Sequence, residues 1–241
     1  NAMFKYKGLY YFCSSDLHGW NASRSFYMTS PNITGPYTPE KIIEGTEADF
    51  SHVSQNGFFI PVHGSAGTTV LYAGDRWSNF AANGHGYNIW APLSFDGTAP
   101  KFNSLSEFVL DAPKGTWAVG KGNNYVRNPG FEADRVRQTS VAGWVSSWTS
   151  LKGDAPFMNT AGGRASKWAL TLRHPGQTMG SAIQNVTLPD GSYTLKAWIR
   201  SSGGKRVARL YAAGHGGATL GLALPDQLAQ WTEVTLPDIR V

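Results

Sequence analysis

The feature that most constrains this chain is the steady recurrence of short apolar or alternating runs, each closed by Gly, Pro, Asn or Asp. Runs of four to eight residues bounded by turn formers are typical of β-strands. No window of eleven residues sustains a 3.6-residue apolar period, so the sequence predicts almost no helix. In the first half the runs occupy residues 4–12 (a strand, a Lys-Gly turn and a second strand), 25–29, 57–62, 68–73, 86–93 and 107–110.

The second half shows the same pattern of short apolar runs bounded by turn formers. The predicted strands are spaced 8–14 residues apart, which favours a β-sandwich. The predicted strands are 165–172, 181–188, 192–201, 207–212, 218–224 and 230–236. Within 192–201, side chains alternate between two faces. One face carries Tyr193, Leu195, Ala197 and Ile199, and the other carries Thr194, Lys196, Trp198 and Arg200.

A change in residue composition and charge separates the two halves. Residues 111–124 are rich in turn formers and charges, as in a linker. Residues 1–118 carry seven Lys/Arg against nine Asp/Glu, whereas 119–241 carry fourteen against seven. Such an asymmetry supports two domains. We therefore predict a first domain at 3–117, a linker at 118–123 and a second domain at 124–241.

Composition narrows the functional classes. The net charge is +5, but the basic residues are scattered and no nucleic-acid recognition motif accompanies them, so no nucleic-acid partner is predicted. The sequence contains no run of 18 apolar residues, so no transmembrane helix is predicted. The single cysteine, Cys13, lies in an apolar run and reads as a small buried hydrophobe. No zinc-protease, phosphate-loop or serine-elbow motif occurs, so no catalytic cofactor is predicted.

Nine tryptophans in a chain with only 15% charged residues admit two readings. Most tryptophans fill cores, because the indole is large and mostly apolar. An exposed indole face also matches the apolar C–H face of a sugar ring and excludes water from it.

Several stretches of the first half occur in an order that resembles a known enzyme family. They are residues 3–21 (ending in His-Gly-Trp-Asn), 50–55 (Phe-Ser-His-Val-Ser-Gln), 71–77 (Leu-Tyr-Ala-Gly-Asp-Arg-Trp) and 87–93 (Tyr-Asn-Ile-Trp-Ala-Pro-Leu). Together they resemble the C-terminal half of family 43 glycoside hydrolases, in the exo-β-1,3-galactanase branch. The resemblance covers residues 3–117. It implies two to three blades of a five-bladed β-propeller and an inverting hydrolase that acts on plant or microbial galactan.

The resemblance assigns the base position to Gln55. A neutral amide is a poor base, so Gln55 would orient the attacking water. The alternative is an amide at a strand end that satisfies neighbouring backbone groups. Inverting hydrolysis also needs a proton donor about 6.5–9.5 Å from the group that activates water. The resemblance implies a glutamate just ahead of the 3–5 strand, where this chain has none, so we expect the chain alone to be inactive.

The same resemblance implies substrate contacts. His18, Gly19 and Trp20 match the segment that ends at the sugar pocket. Asp75 and Arg76 either lock a blade as an ion pair or send one side chain to substrate hydroxyls, because neighbours on a strand point to opposite faces. Trp77 and Trp90 line either the propeller axis or its core, and Trp90 is included among the predicted substrate contacts.

The second half resembles the galactose-binding-like jelly roll of carbohydrate-binding modules in the family 4/9/22 group. The stretches that carry this resemblance are 126–132 (Val-Arg-Asn-Pro-Gly-Phe-Glu), 143–144 (Gly-Trp), 184–200 and 231–236. It implies a structural calcium near the opening strand, with Glu132 as a hard oxygen ligand. We expect the chain to stop before the closing strand of the jelly roll.

Candidate sugar contacts in the second half are aromatic and planar polar groups. Trp148, Trp168 and Trp198 are predicted to form a stacking platform, with Arg200 and Gln184 as planar hydrogen-bonding partners. Phe131, Trp144 and Trp231 fall at positions that resemble core positions of the modules.

Three functional hypotheses remain open. The first is a galactan hydrolase with an accessory carbohydrate-binding module, whose partner is a polysaccharide or oligosaccharide. The second is a non-catalytic glycan-binding or adhesion protein. The third is a structural unit whose unpaired strand edges are completed by a second copy or by further blades. A glycan-directed protein is expected to be secreted, periplasmic or at the cell surface, although the chain shows no export signal.

Overall fold

A computed structural model describes residues 1–77, 86–134, 136–149, 153–173, 176, 179–205 and 207–241. Within these residues the chain forms eighteen strands and one short helical segment, α1 (Phe50–Val53). No helix in the described ranges is long and apolar enough to cross a membrane. The strands of the first hundred residues are β1 (Ala2–Tyr6), β2 (Leu9–Ser15), β3 (Ser25–Ser30), β4 (Lys41–Ile42), β5 (Gln55–His63), β6 (Thr68–Arg76), β7 (Tyr87–Asp96) and β8 (Ala99–Phe102).

These eight strands build two four-stranded antiparallel sheets. Their spatial orders are β1-β2-β3-β4 and β5-β6-β7-β8, the same as the order along the chain. A four-stranded meander is the unit from which propeller blades are built. The predicted all-β fold class is confirmed, and the two meanders have the strand number and order of blades.

The hairpin between β1 and β2 shows how local sequence sets this pattern. Tyr6 pairs with Leu9, so only Lys7 and Gly8 form the loop. Both residues have positive φ, 46° and 82°. Two-residue hairpin loops of this kind match the twist of the flanking strands, and glycine adopts the required backbone at no steric cost.

The two meanders share one aromatic core. Phe4 stacks on Tyr11 with ring centroids 4.6 Å apart, and it lies 4.8 Å from Phe59 of the second meander. Tyr72 meets Phe102 edge-on at 5.0 Å. The buried members are Phe4, Tyr11, Cys13, Tyr27, Ile43, Phe59, Val70, Tyr72, Ala91, Leu93 and Phe102. The apolar faces of both sheets are therefore buried against each other.

Cys13 belongs to this core and is fully buried. Burial raises the pKa of its thiol far above the ordinary value, because the thiolate would lose its hydration. The interpretation of Cys13 as a small hydrophobe is confirmed.

The next part of the chain forms two-stranded sheets. Its strands are β9 (Phe108–Asp111), β10 (Thr116–Val119), β11 (Val145–Thr149), β12 (Asn159–Ala161), β13 (Trp168–Leu170) and β14 (Met179–Ile183). They pair as β9-β10, β11-β14 and β12-β13. The β9-β10 hairpin is tied to the loop between β5 and β6, because Ser65 N donates to Pro113 O at 2.9 Å and Ala66 N donates to Lys114 O at 3.0 Å.

The chain divides into two compact units, residues 1–184 and 185–241. The second contains β15 (Ser192–Ser202), β16 (Arg209–Ala212), β17 (Leu220–Ala223) and β18 (Gln227–Arg240), paired as β15-β18 and β16-β17. This division lies after Gln184 rather than at 118–123. The domain boundary inferred from sequence, and closure into a jelly roll, stay predictions.

The two faces of β15 are those predicted from its alternation. The side chains at 193, 195, 197 and 199 are half-buried, and those at 194, 196, 198 and 200 are exposed. Trp198 therefore lies on the outward face, beside Lys196 and Arg200. Of the residues described in 185–241, only Leu236 and Ile239 are buried.

Candidate functional site

The candidate site begins at the start of β5, where the chain leaves a left-handed turn. The turn consists of Phe50, Ser51, His52 and Val53, whose φ angles are 52°, 55°, 55° and 58°. A left-handed backbone costs a non-glycine residue about 1–2 kcal/mol, so a run of four must be held by its surroundings. Ser54 then returns to an extended backbone, and Gln55 opens β5.

The Gln55 amide is held at both ends. Its Nε2 donates to Gly19 O at 2.6 Å, and its Oε1 accepts from Trp77 Nε1 at 3.1 Å. The two bonds fix which end of the amide carries the oxygen. The carbonyl oxygen has a second lone pair, so it can still accept a hydrogen bond from water or a sugar hydroxyl.

The loop that contains Gly19 presents an aromatic ring beside this amide. Gly19 has a φ of 61°, and Asn21 closes the turn by donating from Nδ2 to His18 O at 2.8 Å. Trp20 is 65% exposed, and its ring centroid lies 4.3 Å from that of Trp77 at an interplanar angle of 57°. The two indoles thus form an exposed aromatic pair next to Gln55, of the kind that packs on sugar rings.

A polar pair lies on the same side of the sheet. Asp75 is the register partner of Gln55 on β6, and Asn88 is the partner of Asp75 on β7. Asn88 Nδ2 donates to Asp75 Oδ1 at 2.6 Å. The other carboxylate oxygen lies over Gly57, where an added Cβ would be only 2.7 Å from it. Gly57 therefore leaves the room in which the Asp75 carboxylate sits.

Arg76 is directed at the left-handed turn. Its Nε donates to Val53 O at 3.0 Å and its Nη2 donates to His52 O. Of the two readings made for Asp75 and Arg76, these bonds favour a structural role for Arg76, with the turn carbonyls as partners. Asp75 is the member of the pair that joins the Gln55 cluster.

His18 borders a separate charged cavity of about 410 Å³. Its Nε2 lies 3.8 Å from Asp16 Oδ2, and the same oxygen accepts from Arg24 Nε at 3.0 Å. The hydrogen bond and charge of Asp16 raise the pKa of Arg24. Ala22, Glu47 and Phe50 complete the lining. The cavity is polar and adjoins the Gly19 turn.

Trp90 lies on β7, where its register partner is Ala73. Because side chains alternate along a strand, it shares a sheet face with Asn88, two residues away. It is 52% exposed. Its predicted contact with substrate stays a prediction.

Glu132 accepts a hydrogen bond from the main chain. Its Oε1 accepts from Trp168 N at 2.6 Å, which ties the opening segment of the second half to β13. Among the described residues no group of three or more His, Cys, Asp or Glu side chains gathers to hold a metal ion. Calcium binding at Glu132 stays a prediction from the resemblance.

The three tryptophans predicted as a stacking platform differ in exposure. Trp168 is only 8% exposed, with Lys167 Nζ 4.8 Å from its ring centroid, so burial contradicts its inclusion in a platform. Trp148 packs against Gly180, where an added Cβ would lie 2.7 Å from the indole, and its buried Nε1 has no hydrogen-bond partner among the described residues. Trp198 is 41% exposed. Only Trp198 presents a substantially open ring.

Two planar groups of the second half have partners within the protein. The Arg200 guanidinium lies 5.2 Å from the ring centroid of Trp231. The Gln184 amide is taken up by main chain, because its Oε1 accepts from Arg127 N at 2.7 Å and its Nε2 donates to Arg127 O and Gly143 O at 2.9 and 2.8 Å. A structural role therefore describes Gln184 better than the predicted sugar contact.

Two members of the Gln55 cluster were missed by sequence reasoning. Trp77 was left between the propeller axis and the core, yet it donates to Gln55. Asn88 was not predicted as a site residue, although its amide donates a hydrogen bond to the Asp75 carboxylate. The signal that would identify both is the register of β5, β6 and β7, which only strand pairing reveals.

Comparison with known proteins gives limited likeness. No family model matches the chain, and no curated protein matches it significantly. Among solved structures it is similar to the exo-β-1,3-galactanase of Phanerochaete chrysosporium with β-1,3-galactotriose, at 22% identity and a TM-score of 0.46 over 99% of this chain and 50% of that one. It is also similar to an exo-β-1,3-galactanase of Clostridium thermocellum, at 19% identity and a TM-score of 0.43 over 86% and 38%.

A third structure, the putative exo-β-1,3-galactanase of Bifidobacterium bifidum s17, gives 24% identity and a TM-score of 0.38 over 42% of this chain and 34% of that one. The chain spans about half the length of the Phanerochaete structures that it matches. Likeness at this level does not identify an activity, which must be argued from the residues.

Proposed function

We propose that this chain is the sugar-binding part of an inverting, exo-acting β-1,3-galactan hydrolase, with a carbohydrate-binding second half. The observation that carries the proposal is the cluster of Gln55, Trp20, Trp77, Asp75 and Asn88 at one end of the second meander. It combines an aromatic pair with fixed planar hydrogen-bonding groups, the combination that sugar sites use. A polysaccharide substrate implies that the protein works outside the cytoplasm.

Gln55 would act by orienting water. An amide does not remove a proton from water at neutral pH, but a fixed carbonyl oxygen can hold the water in line for attack. The bond from Trp77 Nε1 at 3.1 Å and the bond to Gly19 O at 2.6 Å keep that oxygen in place.

The proton donor is assigned to a carboxylic acid other than Asp75. Asp75 is the register partner of Gln55, and side chains directly opposite in a sheet have Cβ atoms about 4.5–5.5 Å apart. An inverting pair stands about 6.5–9.5 Å apart with the sugar between its members. Asp75 is therefore suited to binding sugar hydroxyls on the same side as Gln55.

Binding is tested on the chain as it is. β-1,3-Galactotriose should quench or shift the indole fluorescence and give measurable heat on titration. Trp20→Ala should abolish both signals, since an exposed indole contributes contact area without supporting the fold. Phe157→Ala, which removes a 44% exposed aromatic ring outside the two meanders, should leave binding unchanged. Equal effects of the two variants would refute the site.

Hydrolysis is tested on the full product of the natural gene. Release of galactose from β-1,3-galactan should fall about 100-fold on Gln55→Ala, because the attacking water would no longer be held in line with the sugar. The 241-residue chain alone should release none. Wild-type activity that survives Gln55→Ala undiminished would exclude this role for Gln55.

One observation favours the non-catalytic alternative, a glycan-binding protein. Both polar ends of the Gln55 amide already have protein partners, as in a purely structural strand-end amide. A glycan-binding protein would bind galactotriose, lose binding on Trp20→Ala and release no galactose even as the full gene product.

The second half is proposed as an accessory carbohydrate-binding region with Trp198 as its exposed ring. Lys196 and Arg200 lie on the same face of β15. Trp198→Ala should weaken retention of the chain on insoluble galactan and leave the fluorescence response to galactotriose at Trp20 intact. Loss of both together would argue against separate sites.

A further inference from the structure

We propose that the left-handed turn Phe50–Val53 is a positioning device for Gln55 and that Arg76 is the residue which holds it. The inference rests on the proposed function only for what Gln55 does with a sugar. The turn itself is unusual, because four consecutive residues without a glycine have φ between 52° and 58°. Valine is β-branched, and a positive φ at such a residue is a clear outlier that marks a constrained segment.

Arg76 grips the end of the turn nearest to Gln55. Its guanidinium donates to the carbonyl oxygens of His52 and Val53, the latter from Nε at 3.0 Å. A guanidinium is planar and permanently charged, so it can hold two carbonyl groups in a fixed relation. Arg76 ends β6 beside Asp75, the register partner of Gln55. The same strand end thus fixes the turn and lies next to Gln55.

Asp49 grips the other end of the turn. It is fully buried, and its Oδ1 accepts from His52 N at 2.9 Å. Its Oδ2 accepts from Ser104 Oγ at 2.5 Å, and that hydroxyl lies 2.9 Å from His52 Nδ1. The buried carboxylate is therefore bound to the main chain of the turn and, through Ser104, to the ring of His52.

Ser51 anchors the middle of the turn in the core. Its Oγ donates to Ser23 O at 2.8 Å and lies 3.1 Å from Ser25 Oγ. Ser25 Oγ lies 3.0 Å from the Tyr72 hydroxyl. With the start, middle and end of the turn held, the direction in which the chain enters β5 is set before any ligand arrives.

The consequence concerns where the Gln55 amide sits. Only Ser54 separates it from the turn, so a shift of the turn moves the Gln55 backbone away from Gly19 O and Trp77 Nε1. Misplacing a functional group by about 1 Å can cost up to about 100-fold in function. Arg76 is thus a positioning residue that acts through the carbonyl groups of His52 and Val53.

The test measures the environment of the Gln55 side chain directly by NMR. In protein labelled with ¹⁵N-glutamine, the side-chain NH₂ signals of Gln55 are identified by their loss in Gln55→Glu. Arg76→Gln should move or broaden these signals and weaken galactotriose binding roughly tenfold or more. Lys101→Gln is the control, because it removes an exposed cation that pairs with Glu44 at 2.8 Å and lies outside the turn. It should change neither readout.

Arg76→Lys keeps the charge and one donor, so it should give an intermediate shift and partial recovery of affinity even if Arg76→Gln fails to fold. Unchanged Gln55 signals in a folded Arg76→Lys or Arg76→Gln protein would overturn the inference. If the wild-type chain does not bind galactotriose, the proposed function fails, and the Gln55 signals alone still decide whether Arg76 positions this side chain.

Discussion

The two meanders and the second compact unit are built from similar strands but differ in what those strands bury. In the meanders, Phe4, Tyr11, Phe59 and Tyr72 pack across two sheets and are at most 8% exposed. In residues 185–241, β15 alternates just as regularly, yet its inward side chains are only half-buried. Alternation therefore sets which face turns inward, whereas a core needs a second sheet to cover that face.

The same contrast applies to polar groups. The meanders bury Ser25, Ser51 and Asp49 within hydrogen-bonded networks around the left-handed turn. Among the described residues of the second unit, most side-chain hydrogen bonds lie at the surface, as in the pair between Lys196 Nζ and Glu233 Oε1 at 3.2 Å. Buried networks can hold a strained backbone, and surface pairs contribute little to stability. In the meanders such a network holds the turn that leads into Gln55.

The largest expected difference comes from truncating a core ring. Phe59→Ala should lower the free energy of unfolding by about 3–5 kcal/mol, because it removes a buried ring and leaves a cavity. Ile199→Ala removes a half-buried side chain from β15 and should cost about 1 kcal/mol or less. Urea unfolding followed by circular dichroism gives both values. Equal costs would show that the second unit has a core as tightly packed as that of the meanders.

Hydrogen exchange should separate the two regions next. β6 lies between β5 and β7, so its amides bond on both sides and its residues 69–74 are buried, whereas β15 pairs with β18 alone among the described strands. We expect the bonded amides of β6 to exchange at least about 100-fold more slowly than those of β15. Comparable protection, measured by mass spectrometry or NMR, would contradict this ranking.

A smaller effect should follow the loss of one buried hydroxyl. Tyr72 lies 3.0 Å from Ser25 Oγ, and burial raises the pKa of Tyr72 to about 12. Tyr72→Phe should cost about 1 kcal/mol, since Ser25 retains Ser51 as a partner. Tyr10→Phe removes a surface hydroxyl and should change stability by less than about 0.5 kcal/mol. The ranking fails if thermal unfolding places the two variants together.

The smallest effect is pH-dependent and concerns Asp134, which belongs to the unit of residues 1–184 and follows the meanders along the chain. Asp134 is 6% exposed, and burial raises the pKa of its carboxyl above the ordinary 3.8. The folded state therefore holds this proton more tightly than the unfolded state, and ionisation costs stability as the pH rises through the folded pKa. Asp134→Asn keeps an acceptor for Ala142 N and should raise Tm slightly at pH 7, with the gain vanishing below about pH 3.8.

Asp111→Asn is the matched control of opposite sign. The hydrogen bonds and charge of Lys114 lower the pKa of the Asp111 carboxyl, so its contribution is present at pH 7 and is lost as the pH falls through the folded pKa. Asp111→Asn should lower Tm slightly at pH 7. Shifts of the same sign in both variants would show that burial does not govern the carboxyl of Asp134.

Much of the fold could be predicted from local sequence, and less of the site. The strand of residues 68–73 extends to Arg76, and the two faces of β15 are as predicted. Trp168 was assigned wrongly, because an aromatic residue in a strand has no local mark that separates a buried ring from an exposed one. Trp77 and Asn88 reach the Gln55 cluster through the register of three strands, which depends on pairing between distant segments.

The sequence alone determined the all-β class, the hairpin at Lys7-Gly8 and the alternation of each strand, because all three depend on neighbours within a few residues. Only the tertiary structure decided the left-handed turn before Gln55. Phe50-Ser-His-Val53 contains no glycine to announce a positive φ, and the conformation is held by Arg76, Ser104 and Ser25, which are distant along the chain. The local sequence determines that β5 forms, whereas side chains distant along the chain determine the position of Gln55, its first residue.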